Sequence, residues 1–270
     1  MKYLIICLLA FVPGLPLTQS WAGEPLIRWS GNYLAEDYTA GLYLNRGSEV
    51  ALSNGKSYPD MESEKSPRNP RYDVSLPSAV FFGVVQTTSE VPVTVEKSRM
   101  QVRYEGGKNR ISIGSEPGSI GNRVTVRGLI VWKKDGFLGP MVGTDVQSLS
   151  ALEHITLEVT GVRGHAMVRF AVRSEGKWYL SEMLSEGRSR GPEPEALGEV
   201  SLSVPGSRWG EWATVDGVPP LELPPESFDR SANELKNISA IGFYFSVEYA
   251  ASNAAMFEMD SFEVTAGKAQ

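Results

Sequence analysis

Three carboxylates stand at Glu258, Asp260 and Glu263 in the stretch "EMDSFE". That spacing on one strand is suited to acid–base chemistry. Two carboxylates held about 5–5.5 Å apart on one face can serve as nucleophile and acid/base at a glycosidic bond. The phase of the strand allows it. Phe257 and Met259 share one face, and Phe262 and Val264 resume that face after a slip of one residue. A bulge at Asp260-Ser261 would produce the slip and turn Glu258, Asp260 and Glu263 together to the other side.

A second set of residues suits binding rather than bond cleavage. In "RSEGKWYLSE" (173–182) a Trp and a Tyr are adjacent, so on a strand they face opposite ways. The turn before them decides which is inside. A three-residue loop, Ser174-Glu175-Gly176, would place Gly176 where a left-handed residue is wanted. A two-residue loop, Glu175-Gly176, would reverse the faces. The longer loop is the expected one; it stacks Trp178 with Val172 in the core and turns Tyr179 outward beside Arg169. In "AIGFYFSVEY" the row Ile241, Phe243, Phe245 and Val247 reads as buried. Tyr244 belongs to the opposite row, among Ala240, Gly242 and Ser246. Tyr179, Arg169 and Tyr244 thus form a candidate ligand platform, where an aromatic face packs on a sugar ring and a guanidinium bonds hydroxyls.

Other chemistries lack their residues. His154 and His165 are the two histidines and show no ligand spacing to each other or to a carboxylate pair. There is no G-x-S-x-G. "GSEPGSIGNR" has no G-K-[ST] ending and reads as a turn. "NIS" at 237–239 is a formal glycosylation sequon. Basic residues number 26 against 32 acidic ones, for a formal net charge of −6, and no basic cluster stands out. That balance argues against nucleic acid and anionic membrane surfaces as partners.

These residues must be carried by strands. Period-two alternation recurs in "VPVTVEK", "MQVRYEGG", "HITLEVTG", "MVRFAVR", "EVSLSVPG" and "ISAIGFYFSVEY", with Gly, Pro, Asn and Ser clusters between. "RVTVRGLIVWKK" begins by alternating and becomes apolar on both faces. The pattern predicts an all-β, two-sheet antiparallel β-sandwich of jelly-roll type with long loops and little helix. "SLSALEH" and "RSANELKN" each suit a turn or two of helix. Residues 54–78, 185–199 and 216–233 read as exposed connections. Trp132, Trp178, Phe170, Phe243 and Phe245 are expected in the core. Trp209 and Trp212 would cap the core or line a rim.

The chain opens on Lys2, an apolar run from Tyr3 to Val12, a Pro-Gly break and Ser20-Trp21-Ala22. That is the layout of a secretory signal peptide cut after Ala22, too short for a membrane span. The expected organisation is a signal over 1–22 and one sandwich over 23–270, secreted or periplasmic. The single cysteine, Cys7, would leave with the signal, which removes disulfides, thiol catalysis and cysteine-based zinc sites.

"GKWYLSE", "RGLIVWKKDGFL" and the closing "ISAIGFYF…FEMDSFEV" resemble jelly-roll domains of the galactose-binding and carbohydrate-binding-module type found in secreted bacterial proteins. The resemblance covers mainly the C-terminal half, on Ile238–Phe243 and Asp260–Val264. It implies non-catalytic glycan binding, often with a structural calcium. Asp260 matches the aspartate that commonly serves such a calcium, with Glu36 and Asp37 as partners from the N-terminal side. "EMDSFE" also resembles the catalytic strand of laminarinase-like retaining glycosidases, a resemblance that implies Glu258 as nucleophile, Asp260 as its helper and Glu263 as acid/base. In those enzymes more strands follow, whereas six residues follow Val264 here, and no tryptophan flanks the motif. The expected function is therefore an exported, non-catalytic protein that binds a polysaccharide on a sheet face or a loop rim. The alternatives are a retaining glycosidase using Glu258, Asp260 and Glu263, or a structural or assembly protein of the cell exterior. The sequence leaves the oligomeric state open.

Overall fold

The computed structural model describes residues 24–30, 40–43, 79–87, 98–105, 108–115, 123–191, 193–214, 224–250 and 255–267. These hold sixteen strands and short 3-10 turns. In chain order they are β1 (Glu24–Ser30), β2 (Ala40–Tyr43), β3 (Ala79–Thr87), β4 (Ser98–Glu105), β5 (Lys108–Ser115), β6 (Arg123–Lys133), β7 (Val146–Ser148), β8 (Leu152–Arg163), β9 (His165–Ser174), β10 (Lys177–Ser181), β11 (Ser185–Arg188), β12 (Gly198–Ser203), β13 (Arg208–Trp212), β14 (Arg230–Ser231), β15 (Lys236–Ala250) and β16 (Ala255–Ala266). The expected strand over "VPVTVEK" and the connection 54–78 lie outside the described residues, as do 1–22.

The strands form two antiparallel sheets. The first runs β12-β8-β16-β5-β4-β2, with β1 also paired to β16. The second runs β14-β13-β10-β9-β15-β6-β3, with β11 on β9 and β7 on β15. The chain passes repeatedly from one sheet to the other, as at β7–β8, β8–β9, β11–β12, β12–β13 and β15–β16. This is the two-sheet jelly-roll sandwich that alternation implied.

The core lies where β15 and β6 face β16. Phe243, Phe245 and Trp132 point in from the second sheet, and Phe257, Met259, Phe262 and Val264 from the first. Trp132 stacks on Phe262 at 4.5 Å, and Phe245 on Phe257 at 4.6 Å. Such pairs add about 0.5–1.5 kcal/mol each beyond the area they bury. The inward set along β16 keeps its face because the pairing register with β8 slips between Met259 and Ser261. The extra residue there is Asp260, at the place where the phase of the sequence requires one.

One expectation is overturned. β9 and β10 are joined by the two-residue loop: Ser174 pairs with Lys177, Arg173 with Trp178, Val172 with Tyr179 and Ala171 with Leu180. Glu175 and Gly176 have φ of 49° and 84°, the positive pair that a tight turn with the right twist for a hairpin needs. Gly176 supplies its share without strain, and Glu175 accepts the left-handed region at a small cost. The side chains of β10 are therefore exchanged relative to the three-residue expectation. Tyr179 lies on the inner face with Val172 and Phe170, 7% exposed. Trp178 is buried on the outer face, with Leu180, Leu129, Val131, Ala171, Trp212, Ala240 and Tyr244.

Three smaller outcomes follow. "SLSALEH" and "RSANELKN" supply single 3-10 turns, Leu149–Ala151 and Ala232–Glu234. The stretch 185–199 is more than a connection: β11 pairs with β9, and Glu195 bridges Val162. Trp209 enters the core, where its Nε1 donates to Ser207 Oγ at 2.6 Å.

Candidate functional site

The outer face of the second sheet brings two of the three expected binding residues together. Tyr244 of β15 stands directly opposite Arg169 of β9. Neither side chain faces an open platform. Tyr244 is 3% exposed and meets the Trp212 ring edge-on at 5.3 Å. Arg169 Nη1 donates to the carbonyls of Ser181 and Glu182 at 2.8 and 2.7 Å. Its guanidinium also lies 4.8 Å from the centre of the Phe228 ring. Partial burial lowers the Arg169 pKa, and nearby Tyr244, Glu186 and Glu182 act against that. Burial foremost raises the Tyr244 phenol above its ordinary value.

The segment around Phe228 occupies the space above the sheet. A Cβ built on Gly210 would lie 2.7 Å from Pro225 Cβ and 3.0 Å from the Phe228 ring. Glycine at this position thus lets 225–228 pack against β13. Arg208 fastens the same segment, donating from Nε to Phe228 O at 3.2 Å and from Nη2 to Asp229 O at 2.9 Å. Through Phe228 the strap packs against the outer cluster that includes Ala240 and Tyr244, whereas a Cβ on Gly242 would meet the Ile130 carbonyl of β6 and not the strap.

Tyr179 belongs to a different neighbourhood. Across the strands it faces Glu211 of β13. Burial pushes its phenol pKa up, and Glu211 adds to that while Lys177 and Arg230 oppose it. Glu211 and Arg230 in turn border a cleft of about 420 Å³ lined by Glu211, Trp212, Ala213, Pro224, Pro225, Glu226, Ser227, Asp229 and Arg230. Its position follows from the strand pairing. β13 pairs with β14 through Arg208 and Trp209 only, so the run Gly210–Trp212 continues beyond its neighbour and the strap stands beside it. The volume falls in the range of about 300–1,000 Å³ usual for small-ligand sites.

The walls of the cleft divide by chemistry. Trp212, Ala213, Pro224 and Pro225 give an apolar side. Glu226, Asp229 and Arg230 give a charged one, and their side chains make no hydrogen bond or ion pair within the described chain. Glu211 is held through one oxygen, Oε1, by Lys177 Nζ at 2.7 Å. Carboxylates offer acceptors only and a guanidinium five donors, so the cleft can receive and donate hydrogen bonds to a hydroxyl-bearing ligand lying on an apolar wall.

The three carboxylates of "EMDSFE" are placed otherwise. Glu258 and Asp260 are buried, at 6% and 3% exposure. A Cβ on Gly161 would lie 2.8 Å from Glu258 Oε2 and 3.2 Å from Pro194, so the backbone of β8 at Gly161 closes on that carboxylate. Glu263 accepts from Arg28 Nε and Nη2 at 2.9 and 3.2 Å. For calcium, hard oxygen ligands must converge, usually six to eight of them. Among the described residues no three His, Cys, Asp or Glu side chains gather as a metal site, at Asp260 or elsewhere. Glu36 and Asp37, the partners expected for Asp260, lie outside the described residues.

Glu226, Asp229 and Arg230 carry no motif. The signal available for them is compositional: two tryptophans in "GSRWGEW" followed by Pro-Pro pairs within a charged stretch. Of the two expected outcomes for those tryptophans, Trp209 takes the core, and Trp212 both packs the outer cluster and borders the cleft.

No family model matches the chain, and no curated protein matches it. Among solved structures, it is similar to a family 11 carbohydrate-binding module from Clostridium thermocellum in complex with a β-1,3-1,4-mixed-linked tetrasaccharide. The identity is 12% and the TM-score 0.35, covering 74% of this chain and 94% of that one. The family 11 module of the cellulosomal cellulase Lic26A-Cel5E from the same organism is similar at 12% identity and a TM-score of 0.35, covering 74% and 93%. The sandwich is read from the chain's own two sheets, and these likenesses bring no ligand to it.

Proposed function

We propose that this protein is an exported, non-catalytic glycan-binding sandwich whose binding site is the cleft beside β13. The observation that carries the reading is the convergence of three uncommitted charged side chains, Glu226, Asp229 and Arg230, on a wall of tryptophan, alanine and proline. Charged groups on a surface are ordinarily scattered in solvent. Here they share one concavity with apolar partners, the combination that fixes a polar ligand by direction and holds it by contact. A sugar ring has both requirements, with C–H faces for the apolar side and hydroxyls for the carboxylates and guanidinium. Tyr179 supports the site from behind, opposite Glu211. The opening segment fits this reading, since its signal layout would send the chain to where polysaccharides are met.

The test is affinity electrophoresis of the chain from Gly23 onward through gels carrying a panel of soluble polysaccharides, followed by calorimetry on the retarding one. Retardation that is lost in Arg230→Ala, with the melting temperature unchanged, is the expected result. A wild-type chain that passes every gel unretarded overturns the reading.

A further inference from the structure

Lys177 stands outside the cleft and touches none of the space inside it. Its side chain is 61% exposed, and its ammonium donates to Glu211 Oε1 at 2.7 Å. Exposed ion pairs of this kind contribute little to stability. The contact has another consequence. Glu211 borders the cleft and is itself 39% exposed, so a carboxylate there would otherwise turn among several rotamers. The structure records no hydrogen bond to its second oxygen.

The hairpin is what brings the two residues to one face. Tyr179 pairs with Glu211, which makes Lys177 the diagonal neighbour of Glu211 on the same side, within reach of a long side chain. That side is set by the two-residue turn. One more residue in the loop would move Lys177 to the opposite face of the sheet, away from Glu211. The left-handed Glu175 and Gly176 thus determine where the ammonium points.

We infer that Lys177 is a positioning residue for the cleft: it holds Glu211 by one oxygen and leaves the other oriented to accept a ligand hydroxyl. The inference rests on the proposed glycan reading of the same cleft. A fixed acceptor loses less conformational freedom when the ligand arrives than a rotating one does. The hydrogen bond to Glu211, ahead of its charge, also raises the Lys177 pKa, so the ammonium stays charged throughout the neutral range.

The experiment is calorimetry on the polysaccharide identified by electrophoresis, with wild type, Lys177→Met, Lys177→Arg and Arg230→Ala, and thermal melting of each. Lys177→Met should weaken binding about threefold to tenfold with an unchanged melting temperature, and Lys177→Arg, which restores a donor, should recover most of the loss. If wild type binds, Arg230→Ala does not, and Lys177→Met binds like wild type, the positioning role falls while the glycan reading stands. The role also falls if Lys177→Arg is as weak as Lys177→Met. If wild type binds no polysaccharide, both fall together.

Discussion

Arg169 and Arg230 belong to the same sheet and have opposite fates. Arg169 sits mid-sheet on β9, where the strap at 225–228 crosses. Its donors are spent on the carbonyls of Ser181 and Glu182, and its flat face on Phe228. Arg230 sits at the edge on β14, bordering the cleft, and its side chain makes no hydrogen bond or ion pair within the described chain. The aromatic neighbours differ in the same way. Tyr244 is enclosed by the sheet's outer cluster, whereas Trp212 contributes to that cluster and also to a cleft wall. What separates the two places is coverage. Across the middle of the sheet the chain satisfies its own polar groups and fills its own space. Past the end of β14, β13 continues with β10 on one side and, among the described residues, no strand on the other, and the groups around it keep their bonding capacity.

The contrast can be broken most forcefully at Gly210. An alanine there drives its methyl into Pro225, the Ser227 carbonyl and Phe228, and two of those are held by backbone or ring. The strap must lift or the strand must shift, at a cost of about 1–3 kcal/mol as overpacking usually exacts. Gly210→Ala should therefore lower the melting temperature and red-shift tryptophan fluorescence as the Trp178–Trp212 face gains water. It should also disturb the cleft, whose far wall is the same strap. A variant with native stability and native fluorescence would mean that the strap does not cover the face.

A narrower pair of changes separates committed from uncommitted charge. Arg169→Ala removes two charge-assisted hydrogen bonds and a stacking contact, and leaves the carbonyls of Ser181 and Glu182 short of a donor. Hydrogen bonds to charged groups contribute about 1.5–3 kcal/mol to stability; partial exposure of the site favours the lower end. Arg230→Ala removes no internal bond and should change stability by less than about 0.5 kcal/mol. Chemical denaturation of both variants checks the ordering. Ligand affinity should move the other way, lost in Arg230→Ala and retained in Arg169→Ala.

The sequence made the sandwich legible because burial on one face writes itself as a period of two. Phe243 and Phe245, Val168 and Phe170, and the slipped pair Phe262 and Val264 all show it. The phase slip even located the irregularity at Asp260. The hairpin was less legible because "SEGK" accommodates two loop lengths, and choosing between them depends on Glu175 entering the left-handed region. The two-residue form goes with the pairing of Tyr179 with Glu211 of β13, outside the hairpin, which no local pattern contains. The cleft left the faintest trace. It is made by where β14 stops pairing and by a strap folding back on Gly210, both long-range consequences. Its charged residues follow no spacing rule, since Glu211 and Arg230 are brought near by the sheet edge and not by a motif.

The smallest effect concerns how β14 is joined to the sheet. Ser231 caps the 3-10 turn Ala232–Glu234 in a reciprocal box: the Ser231 side chain accepts from the Glu234 backbone N–H, and Glu234 Oε2 accepts from Ser231 N at 2.6 Å. The backbone bond from Ser231, the largest cause, holds the Glu234 carboxyl below the ordinary carboxylate value. For an acid whose folded pKa is depressed, the stabilisation is complete above the unfolded value, about 4.3 for a glutamate. It fades as pH falls through the folded one. Arg230 is the residue just before this cap, so acid should loosen β14 and the cleft's guanidinium with it, while Arg169, clipped mid-sheet, should not respond. In Glu234→Gln, whose amide cannot titrate, this acid response should be gone. Amide exchange of Ser231 and its neighbours from pH 6 down through the carboxylate range should show local opening in the wild type. In Glu234→Gln it should show only the ordinary pH trend of exchange.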